Sequence, residues 1–115
     1  MQNEGFVHWR SVGRRPYDIP YRALVPPRGS VSNVLVPVAV SSTHVGFSSV
    51  RMEPIYMILG ESVGVAAAQA LANNQTVQEI NMQQLQRTLE QRGVRILANQ
   101  PELRARFPLV EVALP

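Results

Sequence analysis

Residues 33–72, NVLVPVAVSSTHVGFSSVRMEPIYMILGESVGVAAAQALA, constrain the fold more than any other part of the chain. They open with the β-branched run 34–40, pass through the Ser/Thr/Gly-rich stretch 41–49, and end in a long apolar run without lysine. A short run almost free of polar atoms predicts a strand buried on both faces. Pro37 inside it removes a ladder donor and predicts an edge position. Strand, small-residue loop and long helix in succession are how α/β proteins offer backbone N–H groups to a bound cofactor. No Gly-x-Gly-x-x-Gly accompanies them, so half of a dinucleotide site is expected to be missing.

The helix is expected to begin near Met52 to Pro54. Proline is accommodated in a first turn, and Glu53 suits the positive end of the helix dipole. It should run to Ala72 and stop at Asn73 and Asn74. Gly60, Gly64 and Ala68 recur every fourth residue, so they share one face that can approach another backbone or a flat ligand closely. The run 55–72 is apolar enough to raise a transmembrane reading. Glu61 and Gln69 interrupt it, and a carboxylate near the bilayer centre costs about 2.5–3.5 kcal/mol. A buried helix and no membrane partner are therefore expected.

Residues 1–32 read as an extended arm with short strands at 6–12 and 21–25, because Pro16, Pro20, Pro26 and Pro27 fix φ and hold their predecessors extended. Arg28-Gly29-Ser30 reads as a turn. Residues 33–74 are the strand, loop and helix. In 75–100, Thr76 and Glu79 match a capping box and Asn81 is a second possible N-cap. Ile80, Met82, Leu85 and Leu89 give an apolar stripe on a helix over 82–91, with Gly93 as its C′ residue. A small strand is expected at 94–97, and 101–115 reads as a proline-limited tail.

The length of 115 residues allows one modest domain. All 11 basic residues are arginine, which gives a pI near 10.2 at a formal charge of only +3. Only Arg14 and Arg15 are adjacent and no aromatic-interleaved stripe appears, so no nucleic-acid partner is expected. The absence of cysteine excludes disulfides and thiolate chemistry within the chain. His8 and His44 are far apart and form no ligand-spaced cluster, so no metal is expected. The N-terminus has no apolar signal core, which makes a cytoplasmic address the default.

Gly60-Glu61-Ser62-Val63-Gly64 matches the Gly-x-Ser-x-Gly nucleophile elbow. That fold needs an acid and then a histidine after the serine, whereas both histidines precede Ser62. A serine hydrolase is therefore disfavoured. His44, in the expected loop, suits ligand contact or proton transfer, while the sequence pattern by itself favours a local structural role that satisfies backbone groups. Arg51, Met52 and Glu53 lie where free helix N–H groups would meet an anion or a polarised carbonyl, or form an ordinary charged helix rim.

The segments IPYRALVP, NVLVP, SSTH, RMEP and GESVGVAAA, in this order, resemble the C-terminal end of the FAD-binding domain in bacterial FAD-dependent oxidoreductases of the glutathione-reductase-like flavoprotein group. The resemblance covers roughly residues 14–95. It implies an α/β fold, a C-terminal fragment of a Rossmann-like FAD-binding domain with extended arm, buried strand, loop, long helix and second short helix. It implies FAD as cofactor, held in part by Ser42, Thr43, His44, Val45, Arg51, Met52 and Glu53 along the isoalloxazine side. An unknown small-molecule substrate and the missing N-terminal FAD-domain segment are the implied partners. Without that segment the chain is expected to be inactive. The other reading is a non-catalytic interaction module that packs through the Gly60/Gly64/Ala68 face.

Overall fold

The structure, a computed structural model, describes residues 17–96 and 101–106. One turn of 3-10 helix (Tyr21–Ala23) precedes four α-helices, α1 (His44–Val50), α2 (Glu53–Ala72), α3 (Met82–Gln91) and α4 (Pro101–Arg106). Among the described residues there is no strand, which corrects the expectation of an α/β, Rossmann-like fold. Two backbone bonds tie this stretch to the arm, one from within 34–40, Val36 N–H to Leu24 O, and one from just after it, Ser41 N–H to Ala23 O, each 2.8 Å. Its neighbour at that point is a 3-10 turn, which cannot continue a ladder, and Pro37 has no N–H to give. Val34 and Val38 remain exposed, and Val40 alone in the run is buried. The expected strands at 21–25 and 94–97 are likewise a 3-10 turn and, as far as Ile96, irregular chain. The expected strand at 6–12, His8, Arg14, Arg15, Leu97 and the tail beyond 106 lie outside the described residues.

Helix limits follow local chemistry. At α3, Asn81 Oδ1 accepts from Gln84 N–H at 3.1 Å, so Asn81 is the N-cap. Thr76 and Glu79 close a separate turn upstream through a 2.9 Å side-chain bond. Gly93 (φ +88) ends α3 with Gly93 N–H to Glu90 O and Val94 N–H to Leu89 O. Asn74 (φ +50) ends α2 in the same way, with bonds to Leu71 O and from Gln75 N–H to Ala70 O. This is the paired-bond stop in which one left-handed residue satisfies two orphan carbonyls.

α2 and α3 pack together around Ala66, Ala70, Val77, Ile80, Leu85 and Leu89. A second cluster, Leu24, Val40, Val50 and Leu59, lies where the arm meets α1 and α2. Both polar interruptions of α2 are engaged on the α3 side. Glu61 pairs with Arg92 at 2.8 Å, and buried Gln69 donates Nε2–H to Asn81 O at 2.9 Å. α2 is long and apolar enough to cross a membrane by length and composition. The expectation that it is buried holds for one side only, since Met57 and Leu71 are 76% and 83% exposed.

Tyr21 packs against both clusters and donates its hydroxyl to Val77 O at 2.8 Å. Burial raises its phenol from 10.0 to about 12. The folded state therefore favours the neutral phenol. That contribution is complete below pH 10 and is lost as pH rises through about 12. Phenolate absorbance read beside circular dichroism should show this alkaline transition, and Tyr21→Phe should remove its linkage to folding. Leu85→Ala should cost about 2–5 kcal/mol through a cavity between α2 and α3; an unchanged urea midpoint would refute that packing.

Candidate functional site

The residues expected to bind a cofactor occupy the two ends of α1. The stretch expected to be a loop winds instead into this helix, because Thr43 Oγ1 accepts from Gly46 N–H at 3.0 Å and caps it. Phe47 N–H adds a 2.8 Å bond to Thr43 O. Ser42, Thr43 and His44 are exposed at the first end and Val45 is half-buried. Arg51, Met52 and Glu53 are exposed at the other end, where α1 hands over to α2. A helix rises about 1.5 Å per residue, so the length of α1 separates the two groups. The structure brings Ser42 to His44 together, and Arg51 to Glu53 together, as two sets rather than one.

The start of α2 has an unusual chemistry for its position. Its N-cap is Met52, in extended geometry and without a side-chain hydrogen bond. Methionine has no oxygen to offer, and apolar residues are the poorest N-caps. Ile55 and Tyr56 N–H both turn back to Met52 O, and Pro54 has no N–H. The N–H groups of Met52 and Glu53 find no acceptor among the described residues. Arg51 N–H is taken by Phe47 O at 3.0 Å, while its guanidinium stays exposed. The end thus presents a positive backbone dipole and an arginine, tempered by the Glu53 carboxylate. Groups of this kind can hold an anion or a polarised carbonyl. The described residues provide no strand and glycine-rich loop to hold a pyrophosphate.

Ser62 is no nucleophile. It sits within α2 rather than on a strand-to-helix elbow, and its Oγ donates to Ile58 O at 2.8 Å. The contacts that fix α1 to the arm were not anticipated: the Tyr17 hydroxyl shares a 2.6 Å bond with Ser49 Oγ, which lies 2.9 Å from Gly46 O. The α1 cap was not anticipated either: residues 41–49 read as a loop, although a threonine three residues ahead of Gly46 N–H is the signal that could have found it.

A family-wide sequence model, described as FAD dependent oxidoreductase, matches residues 1–89. No curated protein and no solved structure matches the chain. Thr43→Ala should loosen α1 by about 1 kcal/mol. Amide exchange should quicken at Gly46 and Phe47 and stay unchanged in α3; equal protection of α1 in both proteins would contradict the capping role.

Proposed function

The chain belongs to the FAD dependent oxidoreductase family, and on that premise we propose that it supplies the isoalloxazine-side wall of an FAD site completed by protein outside this sequence. FAD is the cofactor of the family. The observation that carries the reading is the uncapped start of α2, with the Met52 and Glu53 N–H groups unmatched and Arg51 beside them. Those donors would hold the N1/C2 carbonyl edge of the flavin, where negative charge collects on reduction. Ser42, Thr43, His44 and Val45 would border the ring from the other end of α1. When bound, the flavin supplies hydride and electron transfer between a small-molecule substrate and an acceptor. The chain's own part is to orient the ring edge and stabilise charge on it. In this proposal the parent enzyme is a bacterial member of the glutathione-reductase-like group.

The exposed stripe of α2 supports the companion role of docking onto that missing protein. Gly60 and Gly64 lie in mid-helix, and a Cβ built at either meets nothing within 4 Å. Nothing among the described residues thus requires glycine there, although each costs about 0.5–1 kcal/mol of helix stability relative to alanine. Close approach of another backbone would account for them. The alternative, a purely non-catalytic interaction module, uses the same stripe but no flavin.

Two variants separate these roles, read as FAD binding by the chain combined with an N-terminal FAD-domain segment carrying Gly-x-Gly-x-x-Gly. Arg51→Ala should preserve association and shift flavin affinity or redox potential. Gly64→Leu should leave the isolated chain folded and abolish association. Association without flavin binding would favour the interaction module, and flavin properties unchanged in Arg51→Ala would refute the wall.

A further inference from the structure

On the face formed by the arm, a groove of about 640 Å³ runs between residues 21–28, residues 36–41 and the approach to α3. This is within the 300–1,000 Å³ span of small-molecule sites. Its apolar floor includes Leu24 and Ile80, only 3% and 6% exposed, with Val36 and Met82 beside them. Its sides are fixed to each other by backbone. Val36 N–H to Leu24 O and Ser41 N–H to Ala23 O join the two chain segments, and Gln78 Nε2–H reaches Pro26 O at 3.2 Å. A groove held in this way spends little ordering entropy on a ligand.

The charge of the lining is one-sided. Arg22 and Arg28 line it, and no carboxylate does among the described residues. Arg28 is committed only through a long 3.3 Å bond from Nη2 to Gln78 O. Arg22 makes no hydrogen bond or ion pair among the described residues. Glu79 shares the adjoining cleft with Arg28, but its carboxylate accepts from Thr76 Oγ1 and lines no part of this groove. Arginine forks suit carboxylate and phosphate oxygens, which they meet in pairs of parallel bonds. A wholly polar anion would leave the apolar surface unused. An apolar neutral molecule would leave two cations unanswered.

We infer that this groove binds a small amphipathic anion, with its apolar body over Leu24, Val36, Ile80 and Met82 and its carboxylate or phosphate on Arg22 and Arg28. The inference does not rest on the flavin wall: none of the residues proposed for that wall lines the groove, which reaches only as far as Ser41.

The test uses the whole chain with 2-naphthoate and 2-naphthyl phosphate as probes and neutral 2-naphthamide as the control, followed by calorimetry and by amide and methyl shifts. One anion or both should bind saturably at one site, moving Leu24, Ile80 and Met82; the stronger of the two identifies the head group. Loss of a charge-assisted contact weakens binding by about tenfold or more, and that is the expected change in the Arg22→Gln/Arg28→Gln double variant and for the amide on the unaltered chain. Ala39→Glu, at an exposed position in the lining, should abolish anion binding by repulsion. It also gives a second reading should the double variant lose helicity. Amide and anion binding alike, anion affinity unchanged in both variants, shifts confined to other residues, or no saturable binding would each overturn the inference.

Discussion

One tyrosine, Tyr21, is the side chain that touches both hydrophobic clusters of this chain among the described residues. Among the described residues no large side chain is fully buried, and only Ala66 is wholly shielded from water. Two shallow clusters of this kind gain little separately, because hydrophobic stabilisation scales with apolar area removed from water. Tyr21 belongs to the rim of both and closes the gap with a directed bond to Val77 O. A buried hydroxyl must find a partner, so the ring is fixed in rotation as well as in depth. Together with the bonds of Gln78 to Pro26 O and Val31 O, that residue joins the arm, the α2–α3 pair and the connector between them into one body.

Around it, order comes from helix ends more than from depth of packing. α2 and α3 each stop on a left-handed residue, α1 and α3 each start on a side-chain cap, and Gln69 binds the start of α3 to the middle of the core. The start of α2 is the exception. Chemistry that serves the starts of α1 and α3 is absent there, and that contrast gives the junction its functional interest. In the proposed function that junction meets a flavin, and the side of α2 bearing Gly64 and Ala68, both exposed, meets a protein neighbour.

What the sequence discloses divides along physical lines. The limits of α3, the stop of α2 and the Arg28–Ser30 turn are set by residues within a few positions of each other: Asn81, Gly93, Asn74 and Gly29 each carry their own reason. Residues 34–40 carry no such reason. Being a strand is a relation to a neighbouring strand, and a run of valines does not bring its partner with it. α1 was hidden by composition, since Ser, Gly and Thr suggest a loop, while the effect of one threonine cap on the next turn is easily underweighted. The candidate site was readable as residue types around residues 42–53. Its division into two ends of a helix was not, because that depended on α1.

The cross-links that hold the arm also set an order of events. Tyr21 to Val77, Arg28 to Gln78 and Gln78 to Pro26 and Val31 join residues 47 to 56 positions apart. α2 and α3, by contrast, are linked by the short connector of residues 73–81 and can meet early. Long loops close slowly and repay their entropy only when the last contacts form. The helical pair is therefore the natural nucleus and the arm the last piece to dock. The same asymmetry runs in reverse under stress: the arm is the first part to leave, and when it does it uncovers Leu24 and Ile80 while the helices still stand.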